Sequence, residues 1–171
     1  MKKYSLPVLI NIFLSGLIFL PQQLGAQNKD SIQLQKLTDW VTNQQYSFIA
    51  QSVNPLSGRQ RQLDSQYDLK VSKEQVVADL PYFGIAYFSP VNPSDAGIHF
   101  TSKTFEYSLT KRKKDGWNVL VKSKDLNDQQ DLNLTIYSNG KATLQVTSNR
   151  RQAISFNGYI IAPDKEKTDT H

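Results

Sequence analysis

The sequence predicts a mainly β domain, in which one N-terminal amphipathic helix precedes an antiparallel meander of about eight or nine strands. Apolar and polar residues alternate over most of the chain, and helical spacing of apolar residues occurs in one segment near the N-terminus. Asp115-Gly116 and Asn139-Gly140 form tight turns between alternating runs, as in β-hairpins. Sequential hairpins favour an up-and-down order, which leaves open a small barrel or a curled sheet or sandwich.

Residues 1–26 predict a secretory signal peptide. Two lysines precede an apolar run from Leu6 to Leu20, and small residues follow up to Ala26. That order is typical of exported proteins, and the run is shorter than the roughly 20 residues of a membrane-spanning helix. An uncleaved anchor is the alternative. We expect cleavage after Ala26, a periplasmic or secreted protein, and no membrane anchor after cleavage.

The rest of the chain suits a single β-rich domain over residues 27–162, followed by a polar tail over 163–171. The chain contains no Cys, which excludes disulfides, thiolate nucleophiles and Cys-ligated metals. Only two His are present, and we expect no metal and no cofactor. Removal of the two signal-peptide lysines lowers the formal net charge from +5 to +3, a surplus too modest to indicate a nucleic-acid partner.

The helix is predicted from about Ser31 to Gln44. Leu34, Leu37 and Val41 recur at helical spacing with Trp40 beside them, and polar residues fill the other positions. We expect the apolar stripe to lie on the sheet, with Trp40 as its anchor.

The strands are predicted from short apolar runs, most of which have a period of two. The segment from Ser89 to Gly97 contains two prolines and is the longest irregular stretch in the middle of the chain. Gly158 within the last run indicates a bulge or a close backbone approach. The runs are Tyr46–Ala50, Tyr67–Val71, Gln75–Leu80, Ile98–Phe100, Phe105–Leu109, Trp117–Val121, Leu132–Ile136, Ala142–Val146 and Ile154–Ile160.

Aromatic residues concentrate at Tyr82, Phe83, Tyr87 and Phe88, and Gly84 between them indicates a bend. In a barrel or cupped sheet such side chains could line an apolar cavity, and plain core is the alternative. Arg151 follows another Arg beside turn residues, and Arg forks suit carboxylates and phosphates. We name Tyr82, Phe83, Tyr87 and Arg151 as candidate ligand-binding residues.

The sequence indicates no catalytic residue. His99 lies between two apolar residues of a predicted strand, so alternation points it to solvent. No Gly-x-Ser-x-Gly motif is present, and the acids show no spacing that singles out a carboxylate pair. Residues 125–131 resemble the start of a calcium loop, but Gln130 and Ile136 stand where that loop needs Gly and Glu.

Lys111 to Lys114 is the densest charge run and precedes a predicted tight turn. Four cations at a hairpin tip could contact phosphate, lipopolysaccharide or an acidic glycan. The alternative is a solvated tip that discourages pairing at a sheet edge.

Four segments carry a resemblance to a known family: Leu80–Tyr87, Gly97–Phe100, Ser138–Gly140 and Arg151–Gly158. In this order, behind a signal peptide, they resemble a Bacteroidetes family of exported domains, the domain of unknown function 4251 (DUF4251) family, over roughly residues 40–162. The resemblance implies an envelope protein with a mainly β domain, and it implies no reaction. Most matching positions are glycines and aromatics, which suit turns and cores, and Arg151 is the charged exception. They are Gly84, Tyr87, Gly97, Phe100, Gly140, Arg151, Phe156 and Gly158.

We therefore predict an exported envelope protein that is a non-enzymatic binding module. Its partner would be a small amphiphile, a glycan or another envelope protein. An envelope glycan hydrolase that uses two carboxylates is one alternative. A structural or inhibitory protein that works through an exposed sheet edge is the other.

Overall fold

The computed structural model describes residues 24–87 and 97–163, with side chains from residue 31 onward. Most of the predicted signal peptide, the segment 88–96 and most of the predicted tail lie outside these ranges. Within the described ranges, no helix is long and apolar enough to cross a membrane. The elements are α1 (Leu24–Thr42), β1 (Tyr46–Pro55), β2 (Arg61–Val71), β3 (Val76–Leu80), β4 (Ile98–Ser102), β5 (Phe105–Lys111), β6 (Trp117–Ser123), β7 (Gln130–Ile136), β8 (Lys141–Ser148) and β9 (Ile154–Ile161).

The sheet is one antiparallel meander that returns to its own start. Its nine strands lie in the order β4-β3-β2-β1-β9-β8-β7-β6-β5. Strands that follow one another along the chain pair with each other, and the pairing of β1 with β9 joins the two halves of the meander. The predicted fold class is confirmed, and the sheet curls into a nearly closed barrel.

The barrel nearly closes because one long segment changes partners midway. Only Lys103 and Thr104 separate β4 from β5, and both strands run in the same direction. β4 pairs with β3, whereas β5 pairs with β6. A barrel closes only when its strands tilt and their pairing is staggered, and a segment that changes partners midway provides such a stagger. Because β6 ends at Ser123, opposite Phe105, β4 has no strand partner on its second side among the described residues. We call the gap beside β4 the seam.

Alternation along the strands builds the core on the inner face of the barrel. In β6, for example, Trp117, Val119 and Val121 are buried while the residues between them are not. The largest fully buried side chains are Tyr46, Phe48 and Phe156. A core of this composition stabilises the fold mainly through burial of apolar surface.

Gly158 allows β9 to approach β1 closely, as its place in the sequence indicates. A Cβ at Gly158 would overlap the carbonyl oxygen of Ile49 and press on the ring of Phe48. The nearby register shift between Ala50 and Ser52 shows that β1 carries an irregularity beside this contact. Glycine is required here by the close approach of two backbones.

Helix α1 closes one end of the barrel through its last turns. Leu37 and Val41 are buried in the core, and Trp40, the predicted anchor, is half-buried beside them. The hydroxyl of Tyr107 donates a hydrogen bond of 2.9 Å to the carbonyl of Val41. This bond satisfies one of the carbonyls that a helix leaves free at its C-terminus, and it ties α1 to β5.

The helix begins earlier than its apolar spacing predicts. It starts at Leu24 rather than near Ser31, so the predicted cleavage position after Ala26 lies in its first turn. It ends at Thr42, just before Gln44 adopts a positive φ of 57°. The left-handed residue turns the chain into β1.

Candidate binding site

The segment 82–87, here called the aromatic rim, is fixed against the β8–β9 loop by backbone hydrogen bonds. The amide of Tyr87 donates to the carbonyl of Arg150 over 2.8 Å. The amide of Gln152 donates to the carbonyl of Ile85 over 3.0 Å. Two strand-like bonds of this kind hold a loop segment in one conformation, so the side chains of the rim have defined positions.

Arg151 connects the rim to the start of β4. Its backbone forms an isolated bridge with Ala86. Its guanidinium carbon lies 5.2 Å from the centre of the Tyr82 ring, and its Nη1 donates to the carbonyl of Gly97. A planar guanidinium can stack and donate at the same time. The predicted ligand-binding residues Tyr82 and Arg151 are therefore in contact.

The side chain of Tyr82 folds back toward the backbone of the rim and of the β8–β9 loop. Its hydroxyl lies 2.9 Å from the carbonyl oxygen of Ile85 and 3.0 Å from that of Gln152. Burial raises the pKa of Tyr82, and the neighbouring charge of Arg151 acts against that rise. A Cβ at Gly84 would stand 2.5 Å from the Tyr82 hydroxyl, so glycine permits the bend that the sequence indicates at this position.

The other large apolar side chains of the rim, two of them aromatic, face solvent. Phe83 is 39% exposed, Ile85 57% and Tyr87 60%. The guanidinium of Arg61 lies 4.9 Å from the centre of the Phe83 ring. Aromatic side chains flanked by Arg are typical of recognition surfaces. These residues therefore form an outer surface of the barrel and do not line its interior.

The seam holds an open cleft of about 420 Å³ next to the rim. It lies between β4 and the β6–β7 loop, where β6 is too short to pair with β4. Both apolar and polar groups line it, and Arg151 is shared with the rim. The lining residues are Gly97, Ile98, His99, Phe100, Leu126, Asn127, Asp128, Gln130 and Arg151.

Asp125 links the two sides of the seam, the β6–β7 loop and the end of β4. Its Oδ1 accepts a hydrogen bond of 2.5 Å from the Ser102 hydroxyl. Its Oδ2 accepts bonds of 2.7 and 3.1 Å from the amides of Lys103 and Thr104. The Ser102 bond, followed by the amide of Lys103, lowers the pKa of Asp125. One carboxylate thus links the connection between β4 and β5 to the β6–β7 loop.

Asp128 lines the cleft and carries an unsatisfied acceptor. Its Oδ2 accepts a hydrogen bond of 2.8 Å from Nε2 of Gln130, which is buried. Its Oδ1 is buried and accepts no hydrogen bond from the described part of the protein. A buried carboxylate oxygen without a donor is costly, so this atom favours a ligand that brings a hydroxyl or amine.

His99 and Asp79 form an oriented pair at the edge of the cleft. Their strands place them directly opposite each other, and Nδ1 of His99 lies 2.7 Å from Oδ1 of Asp79. His99 is exposed, as alternation predicts. Asp68 lies opposite Asp79 on β2, so three titratable residues form a row across three strands. No group of three or more His, Cys, Asp or Glu in residues 31–87 and 97–163 could hold a metal ion.

The structure brings most of the residues singled out in the sequence to one end of the barrel. All four candidate ligand-binding residues lie in the rim or beside it, together with Gly84 and Gly97, and Phe100 lines the cleft. A Cβ at Gly97 would overlap the His99 ring as that ring is placed beside Asp79. Gly140 lies at the opposite end in the β7–β8 turn, whereas Phe156 and Gly158 belong to the core region.

Sequence reasoning missed Asp125, Asp128 and the Asp79–His99 pair as members of the site. Asp79 and His99 are far apart in the chain, and only the β3–β4 register joins them. Asp125 and Asp128 lie in the segment that fails as a calcium loop, and the failed motif was their only signal. Instead, residues of that segment line the cleft and bind the end of β4.

A model of the family described as "Domain of unknown function (DUF4251)" matches residues 28–160. The chain belongs to the DUF4251 family. The match spans the rim, the seam and all nine strands except the last residue of β9, and it confirms the resemblance of the four short segments.

A crystal structure of a DUF4251 family protein from Bacteroides eggerthii DSM 20697 is similar to this DUF4251 protein, with a TM-score of 0.58 and 14% sequence identity. The similarity covers 80% of this chain and 91% of that one. At such low identity the likeness concerns the fold. None of the curated proteins matches this chain.

Proposed function

We propose that this DUF4251 protein is a non-enzymatic binding module of the bacterial envelope, and that it binds a glycan unit in the seam cleft beside the aromatic rim. The observation that carries the proposal is Asp128, which lines the cleft and whose buried Oδ1 has no donor among the described residues. A cleft of about 420 Å³ falls within the size range of small-molecule sites.

A sugar unit suits the mixture of groups in the cleft. Its hydroxyls can donate to Asp128, and its apolar ring face can rest on the half-buried ring of Phe100. Exposed Phe83 and Tyr87 extend an apolar surface outside the cleft, where further units of a longer glycan would lie. A purely apolar ligand would leave Oδ1 of Asp128 without a donor.

The envelope location rests on the sequence pattern of residues 1–26 and on family membership. The order of positive, apolar and small residues supports export. A domain without Cys needs no oxidative folding, so the proposal is compatible with either the periplasm or the cell exterior.

The test is a titration of the exported protein with a panel of neutral, acetamido and uronic-acid mono- and disaccharides. Binding is detected through changes in the amide chemical shifts in NMR spectra. We expect shifts to cluster at residues 97–100 and 126–130. Asp128→Asn should weaken binding of the responding sugar at least tenfold. Asp64→Asn, which removes the same charge from an exposed position on β2, is the matched control. Shifts confined to other surfaces, or equal affinities of the two variants, would contradict the proposal.

An enzymatic alternative is supported by a different observation, the 2.7 Å contact between His99 and Asp79. A His held by a carboxylate can act as a general base, and His99 lines the same cleft. If the protein hydrolyses a bound glycan, new reducing ends should appear over time and His99→Ala should abolish them. Binding with no turnover supports the non-enzymatic proposal.

A further inference from the structure

The barrel end opposite the rim carries the densest positive charge of the sequence. The turn between β5 and β6 presents Lys111 to Lys114, here called the basic tip. Arg112 is engaged within the protein: its amide donates to Gly116, its Nη1 donates to Asp115, and its guanidinium lies 4.8 Å from the ring of Tyr137. The turn conformation is therefore fixed by Arg112.

Lys111, Lys113 and Lys114 are left to face solvent. All three are exposed, and none has an ion-pair partner in the part of the chain that the structure describes. Asp115 is the acid nearest in sequence, and its Oδ2 accepts a hydrogen bond of 3.3 Å from the amide of Ser138. The basic tip therefore presents three exposed lysines without an ion-pair partner among the described residues, on a turn whose shape the Arg112 contacts support.

An apolar surface adjoins the tip on the same end. The β7–β8 turn, whose Ser138 amide donates to Asp115, lies beside α1, because Ser138 and Asn139 line a depression together with Leu34. Leu34 is 40% exposed and Ile32 47%, although both belong to the helix. A mainly apolar groove of about 460 Å³ continues between α1 and the end of β9. Its lining includes Ile32, Leu37, Trp40, Ile160, Ile161 and Ala162.

We propose that this end of the barrel, formed by the basic tip, the β7–β8 turn and the exposed face of α1, docks on an anionic membrane surface. The chemistry it recognises is that of lipid phosphates in a bilayer. Exposed Lys side chains beside exposed Ile32 and Leu34, with the half-buried Trp40 in the adjoining groove, are the combination that interfacial binding requires, with cations at the headgroups and apolar groups just below them. The apolar component distinguishes this surface from one built for a soluble polyanion.

This orientation leaves the rim and the seam cleft facing away from the membrane. β6 runs from the tip at Trp117 to the seam at Ser123, so the two surfaces occupy opposite ends of the same strand. The docking surface shares no residue with the proposed glycan site, so each proposal can fail without the other.

The experiment is co-sedimentation of the protein, in the form its host exports, with vesicles of phosphatidylglycerol and phosphatidylethanolamine or with vesicles of phosphatidylcholine. We expect binding to the anionic vesicles that weakens as salt rises, and little binding to the neutral ones. Each Lys near an anionic surface contributes about fivefold to affinity, so K113E/K114E should weaken binding about 30-fold or more. Ile32→Ser should weaken binding with no change in its salt dependence.

The matched control is R59E/K103E, which makes the same change in charge at exposed positions away from the tip. Arg59 lies in the β1–β2 loop, and the backbone of Lys103 binds Asp125 at the far end of β6. Thermal unfolding of every variant establishes that the fold is retained. Equal vesicle binding by K113E/K114E and R59E/K103E would overturn the proposal. Binding to heparin by the wild-type protein without binding to anionic vesicles would overturn it as well, in favour of a soluble polyanion.

Discussion

The carboxylate of Asp125 lies 2.5 Å from the hydroxyl of Ser102. This contact links the β6–β7 loop to the end of β4, where the continuous β4–β5 segment changes partners. The same carboxylate accepts two backbone amides, so one exposed side chain organises the boundary of the cleft. The structure of the seam therefore depends on the ionised carboxylate of Asp125, and protonation of that carboxylate in acid should weaken the seam.

Removal of the Asp125 carboxylate should loosen the seam. We expect Asp125→Ala to lower the midpoint of denaturant unfolding at pH 7 and to speed hydrogen exchange at the amides of Lys103 and Thr104. Because folding lowers the pKa of Asp125, its contribution is present above the unfolded pKa and is lost as pH falls through the folded one. The difference between wild type and variant should thus shrink below about pH 4. Asp64→Ala is the control, and a difference that persists at pH 2 would contradict this account.

Two glycines with nearly the same backbone angle should respond differently to substitution. Gly116 has φ of 79° and Gly140 has φ of 80°. A Cβ at Gly116 would overlap the carbonyl oxygen of Ile136, whereas a Cβ at Gly140 meets open space. Gly140→Ala should cost about 1–2 kcal/mol of unfolding free energy through backbone strain alone. Gly116→Ala should cost about 1–3 kcal/mol more because the overlap adds to the strain. Equal losses in denaturant unfolding would show that the overlap is relieved without cost.

The hydroxyl of Tyr82 should stabilise the aromatic rim locally. Tyr82→Phe removes a donor that lies close to the carbonyls of Ile85 and Gln152, and it should cost about 1 kcal/mol. Hydrogen exchange should speed up at the amides of Tyr87 and Gln152 and remain unchanged in β6 and β7. Tyr87→Phe removes an exposed hydroxyl from the same segment and serves as the control. Unchanged protection of the rim in Tyr82→Phe would show that the backbone bonds suffice.

Alkaline unfolding should report on the contact between Tyr46 and Tyr107, whose hydroxyls lie 3.4 Å apart. Burial raises the pKa of both, most strongly that of Tyr46. A raised folded pKa means that the stabilising contribution is complete below the unfolded pKa, near 10, and is lost as pH rises toward the folded value. We expect Tyr46→Phe to unfold less readily than wild type above pH 10.

At pH 7, Tyr46→Phe should lose less than about 1 kcal/mol, because the hydrogen bond it removes is long. Tyr159→Phe, at an exposed position of β9, should keep the alkaline sensitivity of the wild type. Urea unfolding between pH 7 and pH 11.5 measures both effects. If all three proteins lose stability in parallel above pH 10, burial of Tyr46 is not the cause.

The helix and the hairpins could be predicted from local patterns, and so could part of the site. Asp115-Gly116 and Asn139-Gly140 identify turns because positive φ favours glycine, and the structure places a hairpin at each. Tyr82, Phe83 and Arg151 could be named in advance, since aromatic and guanidinium groups stand out in a sequence. Their contact depends on pairing between segments that are distant in the chain, and no local pattern encodes it.

The sequence by itself determined the alternation, the turns, the order of the strands and hence a mainly β meander. Those properties follow from side-chain period and backbone preference, which act over a few residues. Only the tertiary structure decided that the meander nearly closes, because closure depends on the register of β1 against β9 and on Asp125 reaching Ser102 across the seam. The cleft and its buried Asp128 oxygen lie beside the seam, and the pairing of His99 with Asp79 results from the register of β3 against β4.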